Sequence, residues 1–188
     1  MNVRTVKTGD TSLYIEGCTV KKEQRGRFMS DEAYKEVLDN TIFVCTDVVI
    51  VNLKNPVFYL AKRVINPMQG IFWIGGRRKK GEAPLEGIQR NFRRETGLDL
   101  SADKFKFVTF VEYIWQIREQ EPQDNGSQNV AHQFMIELTD EELNAIELSP
   151  DEYDFEFGLQ KFNRNRLEKD NVHPVILDVF DKIFQIQT

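Results

Sequence analysis

The stretch that decides the fold is GGRRKKGEAPLEGIQRNFRRETGL, residues 75–98. The apolar run 71–74 precedes it and is short enough to form a buried strand. Pro84 suits the first turn of a helix, and Gly97 suits the left-handed backbone conformation that often ends one. The stretch therefore predicts a strand, a glycine-rich loop and a helix, in that order.

The predicted helix has two chemically different faces. Its apolar residues recur at intervals of three and four, which places one face against the core: Leu85, Ile88 and Phe92. Another face carries charged and amide side chains: Arg90, Asn91, Arg94 and Glu95. We expect Arg90 to brace the loop through Glu82 rather than to contact a ligand.

This spacing resembles the Nudix box, a glycine-led loop and helix that carries a metal ion for chemistry on diphosphates. The positions that match the family pattern are Gly76, Glu82, Arg90, Phe92, Glu95, Gly97 and Leu98. Two carboxylates of that pattern are replaced, one by Asn91 and one by Arg94. The resemblance implies an α/β Nudix fold, in which a mixed β-sheet is sandwiched between α-helices.

The two replacements resemble those of one subfamily, the GDP-mannose mannosyl hydrolases. The similarity continues outside the box at Ala61–Arg63, Asn66–Gly70 and Asp170–His173, and it covers roughly residues 29–180. It implies hydrolysis of a nucleotide sugar like GDP-mannose by attack of water on the anomeric carbon. Nucleoside diphosphate and free sugar are the expected products.

The resemblance also implies a metal site for Mg²⁺ or Mn²⁺. Its expected ligands are Glu95, the backbone of Gly76, and Glu152, which is also a catalytic candidate. Tyr153, a further catalytic candidate, takes the position of the subfamily's histidine base. Because an unperturbed tyrosine has a pKa of about 10, the acceptor of the water proton is left open among three groups: Glu152, Asp154 and His132.

The resemblance further implies substrate-binding residues, two of which would also take part in catalysis. Asp47 lies in an apolar strand, where a carboxylate needs a partner; the alternative is that it caps a neighbouring loop. Arg63 would stabilise charge on the leaving diphosphate. Three further substrate-binding candidates are Gln69, His132 and His173. An alternative for His132 is a hydrogen-bonded strand residue without a role in binding.

Composition limits the classes of partner. The chain has 188 residues, 40 % of them apolar, and a net charge of -5, which argues against a nucleic-acid binder. It lacks an apolar segment of membrane-spanning length and a signal-peptide core, and Cys18 and Cys45 are expected to be free thiols. We therefore expect a cytoplasmic protein without nucleic-acid or membrane partners, and the family resemblance implies a homodimer.

The rest of the chain alternates strands and helices, which is typical of a sheet covered on both faces. The patterns predict strands at 13–20, 41–53, 57–61, 104–117 and 130–138, helices at 31–38, 139–146 and 174–186, and a mobile loop at 118–128. We expect residues 29–188 to form the Nudix domain and residues 1–28 an N-terminal extension. The extension is a hairpin, an interface arm or a flexible tail.

Two rival functions are weighed against the hydrolase. One is a catalytically inactive Nudix domain that binds a nucleotide sugar or a partner protein, as Asn91, Arg94 and Tyr153 suggest. The other is a pyrophosphatase that cuts between phosphates, which the missing glutamates disfavour. The basic run 77–80 is interpreted as a solvated turn or as a patch for a phosphorylated ligand.

Overall fold

The structure is a computed structural model that describes residues 3–8, 11–17, 19–21, 26–27 and 29–185. Its strands are β1 (Val3–Thr8), β2 (Thr11–Glu16), β3 (Phe43–Asn52), β4 (Val57–Arg63), β5 (Gly70–Phe72), β6 (Ile74–Arg77), β7 (Lys106–Trp115), β8 (Ser127–Glu137) and β9 (Leu159–Phe162). Its α-helices are α1 (Asp31–Asn40), α2 (Pro84–Thr96), α3 (Asp140–Asn144), α4 (Arg164–Lys169) and α5 (Pro174–Phe184).

The central strand of the main sheet is β3. It pairs in parallel with β8 and antiparallel with β4 and β6, and the order along the sheet is β5-β4-β3-β8-β7. The strand β9 adds to β4. Because helices cover both faces of β3, its residues 48–51 are apolar without alternation.

The two faces of the sheet have separate cores. Ile88 and Phe92 of α2 pack on the face that carries Val48 and Ile50 of β3. The opposite face carries the alternate strand residues, and it is covered by three residues of α5: Ile176, Val179 and Phe180. The sheet is therefore mixed and lies between helices, as the sequence predicted.

The helix and strand predictions were confirmed with small shifts of boundary and a few errors. The run 71–74 was expected to be one strand, but it divides at Trp73 because β5 pairs with β4 whereas β6 pairs with β3. The four-residue β9 and the six-residue α4 were not predicted. The last position of the predicted helix 174–186 lies outside the described residues.

The segment 118–128, predicted to be a mobile loop, is held by a buried cation. The guanidinium of Arg118 is 2 % exposed, and it contacts Asp39 of α1 at 2.7 Å. It also donates hydrogen bonds to the carbonyls of Gln120 and Gly126. A buried guanidinium needs such partners, so this segment is anchored to α1.

The described part of the N-terminal extension contains a β-hairpin. The strands β1 and β2 pair antiparallel from Val3↔Glu16 to Thr8↔Thr11 and form a sheet of their own, so the hairpin alternative holds for these residues. Farther along, the amide of Gly26 donates to the carbonyl of Lys80 at 2.8 Å. Cys18 and residues 22–25 lie outside the described residues, and the boundary at residue 28 stays a prediction. No helix in the described ranges is both long and apolar enough to cross a bilayer.

The loop before α2 is fixed by one ion pair. Arg90 contacts both carboxylate oxygens of Glu82, at 2.6 Å and 2.8 Å, and also donates to the carbonyl of Arg77 at 2.9 Å. Glu82 accepts a further bond from the amide of Lys79 at 2.7 Å. The predicted brace of the loop by Arg90 is thus confirmed.

Replacing this guanidinium should weaken the fold. We expect Arg90→Ala to lower the free energy of unfolding by about 1–3 kcal/mol, because a paired, largely buried carboxylate loses its partner. Urea denaturation measures the change. The matched control is Arg93→Ala, whose ion pair with Asp99 is exposed on both sides and should change stability by less than about 0.5 kcal/mol. Equal effects of the two variants would contradict the brace.

The strands β3 and β6 approach closely where Asp47 pairs with Gly75. A Cβ atom on Gly75 would lie 2.1 Å from Oδ1 of Asp47 and 2.9 Å from its Cα. Glycine at position 75 is therefore required by the side chain opposite it. The neighbouring Gly76 is less restricted, since a Cβ there would meet the flexible end of Arg94 at 3.1 Å.

The two glycines should respond differently to alanine. We expect Gly75→Ala to destabilise the protein by about 1–3 kcal/mol, because backbone or the Asp47 carboxyl must move. Gly76→Ala should cost clearly less, because a contact at 3.1 Å requires only a small shift of the Arg94 tip and alanine restricts the unfolded chain. Urea midpoints of the two variants give the comparison, and a larger loss for Gly76→Ala would refute the close approach at Gly75.

Candidate functional site

One corner of the sheet is assembled from three distant parts of the chain. The loop after α3 is held to the last turn of α2, where the amides of Glu147 and Ser149 donate to helix carbonyls at 3.0 Å each. The same loop then forms a β-bridge between Tyr153 and Arg63, the last residue of β4. This arrangement brings the ends of α2 and β4 together with residues 152–153.

Glu95 is the buried centre of this corner. Its residue exposure is 0 %, and its Oε2 accepts hydrogen bonds from the Tyr153 hydroxyl and from the amide of Gly75, the latter at 3.3 Å. Its Oε1 is paired with Nη2 of Arg94. Burial raises the pKa of Glu95, and the nearby charge of Glu152 raises it further, whereas the hydrogen bond from Tyr153 and the positive charges of Arg94 and Arg63 lower it.

Glu152 links two guanidinium groups. Its Oε1 lies 3.3 Å from Nη2 of Arg94, and its Oε2 lies 3.7 Å from Nη2 of Arg63. The same Nη2 of Arg94 thus contacts two carboxylates, Glu95 and Glu152. We call these five residues the corner cluster: Arg63, Arg94, Glu95, Glu152 and Tyr153.

The corner cluster does not fit a divalent cation. Both oxygens of Glu95 accept hydrogen bonds, and each oxygen of Glu152 faces a guanidinium. The carbonyl of Gly76, the third expected ligand, accepts a bond from the Asn91 amide at 2.8 Å. Among the described residues, no group of three or more acidic, histidine or cysteine side chains could hold a metal. The positive charge between the two glutamates is instead that of Arg94.

The amide of Asn91 explains one departure from the Nudix pattern. Asn91 is fully buried, and its Nδ2 donates to Gly76 and to Oγ1 of Thr46 at 3.1 Å. Its Oδ1 accepts from Nη1 of Arg90 at 2.7 Å. A glutamate carboxylate cannot donate to a carbonyl, so the amide suits this loop and the family's carboxylate does not.

Asp47 lies beside the corner cluster with an unusual protonation state. Only 8 % of the residue is exposed, and burial raises the pKa of its carboxyl to about 7, although the positive charge of Arg63 opposes this rise. The described residues form no ion pair with it. A carboxyl group with such a pKa exists in both forms at neutral pH, which is typical of functional carboxyls in enzymes.

Three side chains that influence Asp47 carry buried donors. Arg63, Trp73 and Tyr113 each interact electrostatically with its carboxyl. The Arg63 Nε and the Tyr113 hydroxyl have no hydrogen-bond partner in the part of the chain that the structure describes, whereas a hydrogen bond from the Trp73 indole lowers the pKa of Asp47. Trp73 and Tyr113 were not predicted as site residues, because an aromatic residue in a strand gives the same sequence signal as core.

The three other substrate-binding candidates lie outside the corner cluster. His132 pairs with Thr46 in β3, and its ring lies 4.6 Å from that of Phe110. Burial lowers the pKa of His132 to about 4, and its Nδ1 has no partner within the described ranges. Gln69 is exposed and precedes Gly70, which pairs with Arg63. Of the three candidates, Gln69 is therefore the one next in sequence to the residue paired with Arg63, at the end of β4.

His173 has a structural role that accounts for its position. It is the N-cap of α5, where its Nδ1 accepts a hydrogen bond from the amide of Val175 at 3.3 Å. Its ring lies 5.6 Å from that of Trp115 and 6.2 Å from that of Phe72.

Asp154, one candidate for the proton acceptor, is occupied by an ion pair with Lys62.

The protonation of Asp47 should appear in the pH dependence of stability. Its pKa is raised from 3.8 to about 7 on folding, so the stability that the neutral carboxyl contributes is lost as pH rises through that range. We expect Asp47→Asn and the unchanged protein to be similar in stability near pH 4. At pH 8 the variant should be more stable, by up to about 4 kcal/mol.

Urea denaturation at several pH values measures this difference. The contributions of Glu95 and of other carboxyls are present in both proteins, so they cancel when the two curves are subtracted. A difference that does not change with pH would show that Asp47 is ionised throughout.

Among the comparisons with known proteins, only the one with solved structures found a match, and it shows the fold of this chain. The sequence matches no protein-family model and no curated protein. The structure is similar to a MutT Nudix hydrolase from Burkholderia pseudomallei, with a TM-score of 0.59 and 19 % identity, covering 77 % of this chain and 99 % of that one. It is similar to a MutT protein from Methanosarcina mazei Go1, with a TM-score of 0.56 and 17 % identity, covering 77 % and 94 %.

A third similar structure is the E. coli dihydroneopterin triphosphate pyrophosphohydrolase, with a TM-score of 0.52 and 13 % identity, covering 78 % of this chain and 100 % of that one. The likeness to the GDP-mannose mannosyl hydrolases stays a prediction. The chain has the fold of the Nudix hydrolases.

Proposed function

We propose that the chain hydrolyses a nucleoside diphosphate sugar and releases nucleoside diphosphate and free sugar. One observation carries this proposal: the guanidinium groups of Arg63 and Arg94 meet at Glu152 in the glycine-loop corner, and Arg63 also interacts with the buried carboxyl of Asp47. Two guanidiniums suit a diphosphate, and a carboxyl that titrates near neutral pH suits proton transfer. GDP-mannose is the substrate to which the sequence resemblance points.

The diphosphate would be bound by the two arginines. The Arg94 side chain is half exposed, and its hydrogen bonds in the described part of the chain use only Nη2, while Arg63 adds a second positive charge on the other side of Glu152. Free donors of this kind bind phosphate oxygens in charge-assisted bonds. They would stabilise the charge that grows on the leaving diphosphate as its bond to the sugar breaks.

In the proposed reaction, the oxygen of a water molecule forms a bond to the anomeric carbon. The bond between that carbon and the phosphate oxygen breaks, and its electron pair leaves with the nucleoside diphosphate. Asp47, in its carboxylate form, takes the proton of the water.

Tyr153 has a different role in this proposal from the histidine whose position it takes. Its hydroxyl donates to Glu95, and burial raises its pKa above the ordinary value. A neutral hydroxyl that is already a donor is a poor acceptor for the proton of water. Tyr153 would therefore hold Glu95 in place.

The second candidate function is binding of the same ligand without turnover. The hydrogen bonds around Glu95 favour this candidate, because both of its oxygens already have donors and Tyr153 takes the position predicted for the base. Only the products of a reaction separate the two candidates. The homodimer expected from the resemblance stays a prediction.

A product assay tests the proposal. We expect GDP and mannose from GDP-mannose, identified by chromatography, with a rate that rises about tenfold per pH unit below pH 7 and then levels off as Asp47 ionises. Asp47→Asn should lower kcat at least about 100-fold. Arg93→Ala, which lies outside the site, should keep the activity of the unchanged protein.

Other results would change the assignment. Products of GMP and mannose 1-phosphate would show attack at phosphorus and overturn the proposed reaction. A tight complex with GDP-mannose that gives no product, across a panel of nucleotide sugars, would establish the second candidate.

A further inference from the structure

We infer that the guanidinium of Arg94 takes the place of a divalent cation, so that this site binds a diphosphate group without metal. The ligand class rests on the proposed function, whereas the exclusion of metal rests on the corner cluster alone. The inference concerns both the charge at the corner and the way in which the ligand is held.

The position of the guanidinium is the first step. Nη2 of Arg94 contacts the carboxylates of Glu95 and Glu152 together, with the latter at 3.3 Å. These are the two acidic side chains that would have to share a cation. A metal ion between them would meet this nitrogen instead of an open coordination position.

The balance of charge is the second step. Two carboxylates, Glu95 and Glu152, face two guanidiniums, Arg63 and Arg94, so the corner cluster is close to neutral without any ion. A hard divalent cation requires about six oxygen ligands with free lone pairs. Here the oxygens of Glu95 and of the Gly76 carbonyl already accept hydrogen bonds, those of Glu152 face guanidiniums, and the added positive charge would repel both arginines.

The third step is the free side of Arg94. Half of this side chain is exposed, at 50 %, although its tip is anchored between two glutamates. In the described part of the chain, the hydrogen bond and ion pairs of Arg94 use Nη2, so Nη1 and Nε are the donors that a ligand could take. A planar guanidinium held at one nitrogen is preorganised for a phosphate oxygen at the others.

Two measurements test the inference with Arg94→Ala, Arg94→Lys and the control Arg93→Ala. Mn²⁺ alone is titrated into each protein and followed by electron paramagnetic resonance. Inorganic pyrophosphate and GDP are titrated by calorimetry, once with Mg²⁺ and once with EDTA. Thermal unfolding reports whether each variant is folded, and Arg94→Lys keeps the test open if Arg94→Ala does not fold.

The unchanged protein should bind no Mn²⁺ at millimolar concentration, and its affinity for pyrophosphate and GDP should be the same with Mg²⁺ and with EDTA. Arg94→Ala should lower that affinity about tenfold or more, because a charge-assisted contact is lost. Arg94→Lys should retain part of it, and Arg93→Ala all of it.

Three results would overturn the inference. The first is saturable Mn²⁺ binding that Glu95→Gln abolishes. The second is ligand affinity that requires Mg²⁺. The third is equal affinity in Arg94→Ala and the unchanged protein, which would make Arg94 only a structural partner of the glutamates. Metal-free binding without hydrolysis would support the inference and refute the proposed reaction, so the two failures are distinguishable.

Discussion

The structure of the corner depends on one buried carboxylate. Glu95 is fully buried at the end of α2, and a carboxylate in that position is stable only if donors or cations surround it. Tyr153, Gly75 and Arg94 supply them from a loop, a strand and the helix itself. The hydrogen bonds and the ion pair of the Glu95 carboxylate therefore join the loop, the strand and the helix that build the site.

The two departures from the Nudix pattern and Tyr153, at the position predicted for the subfamily's histidine, form one consistent set. At Asn91 a carboxylate is replaced by an amide that donates to the carbonyl of Gly76, and at Arg94 it is replaced by a cation. At Tyr153 a hydroxyl donates to Glu95. Each change adds a hydrogen-bond donor where a metal site needs an oxygen lone pair. The three side chains therefore agree with the inference that Arg94 takes the place of a metal ion.

Sequence predicted the parts of the site that depend on local spacing. The helix bounds, the left-handed stop at Gly97 and the pair of Arg90 with Glu82 follow from residues within 15 positions of one another. The contact of Tyr153 with Glu95 joins residues 58 positions apart, and periodicity does not report it. The environments of His132 and His173 also depend on strand register and helix docking, which long-range pairing determines.

The corner cluster does not fit a metal ion, and this bears on which bond can be broken there. Attack of water at phosphorus brings a nucleophile toward a group that already carries negative charge, so an added cation is most valuable there. In attack at the anomeric carbon, positive charge grows on the sugar and negative charge on the leaving diphosphate. Asp47 can offset the first and Arg63 with Arg94 the second. The side chains of this corner therefore match chemistry at carbon better than chemistry at phosphorus.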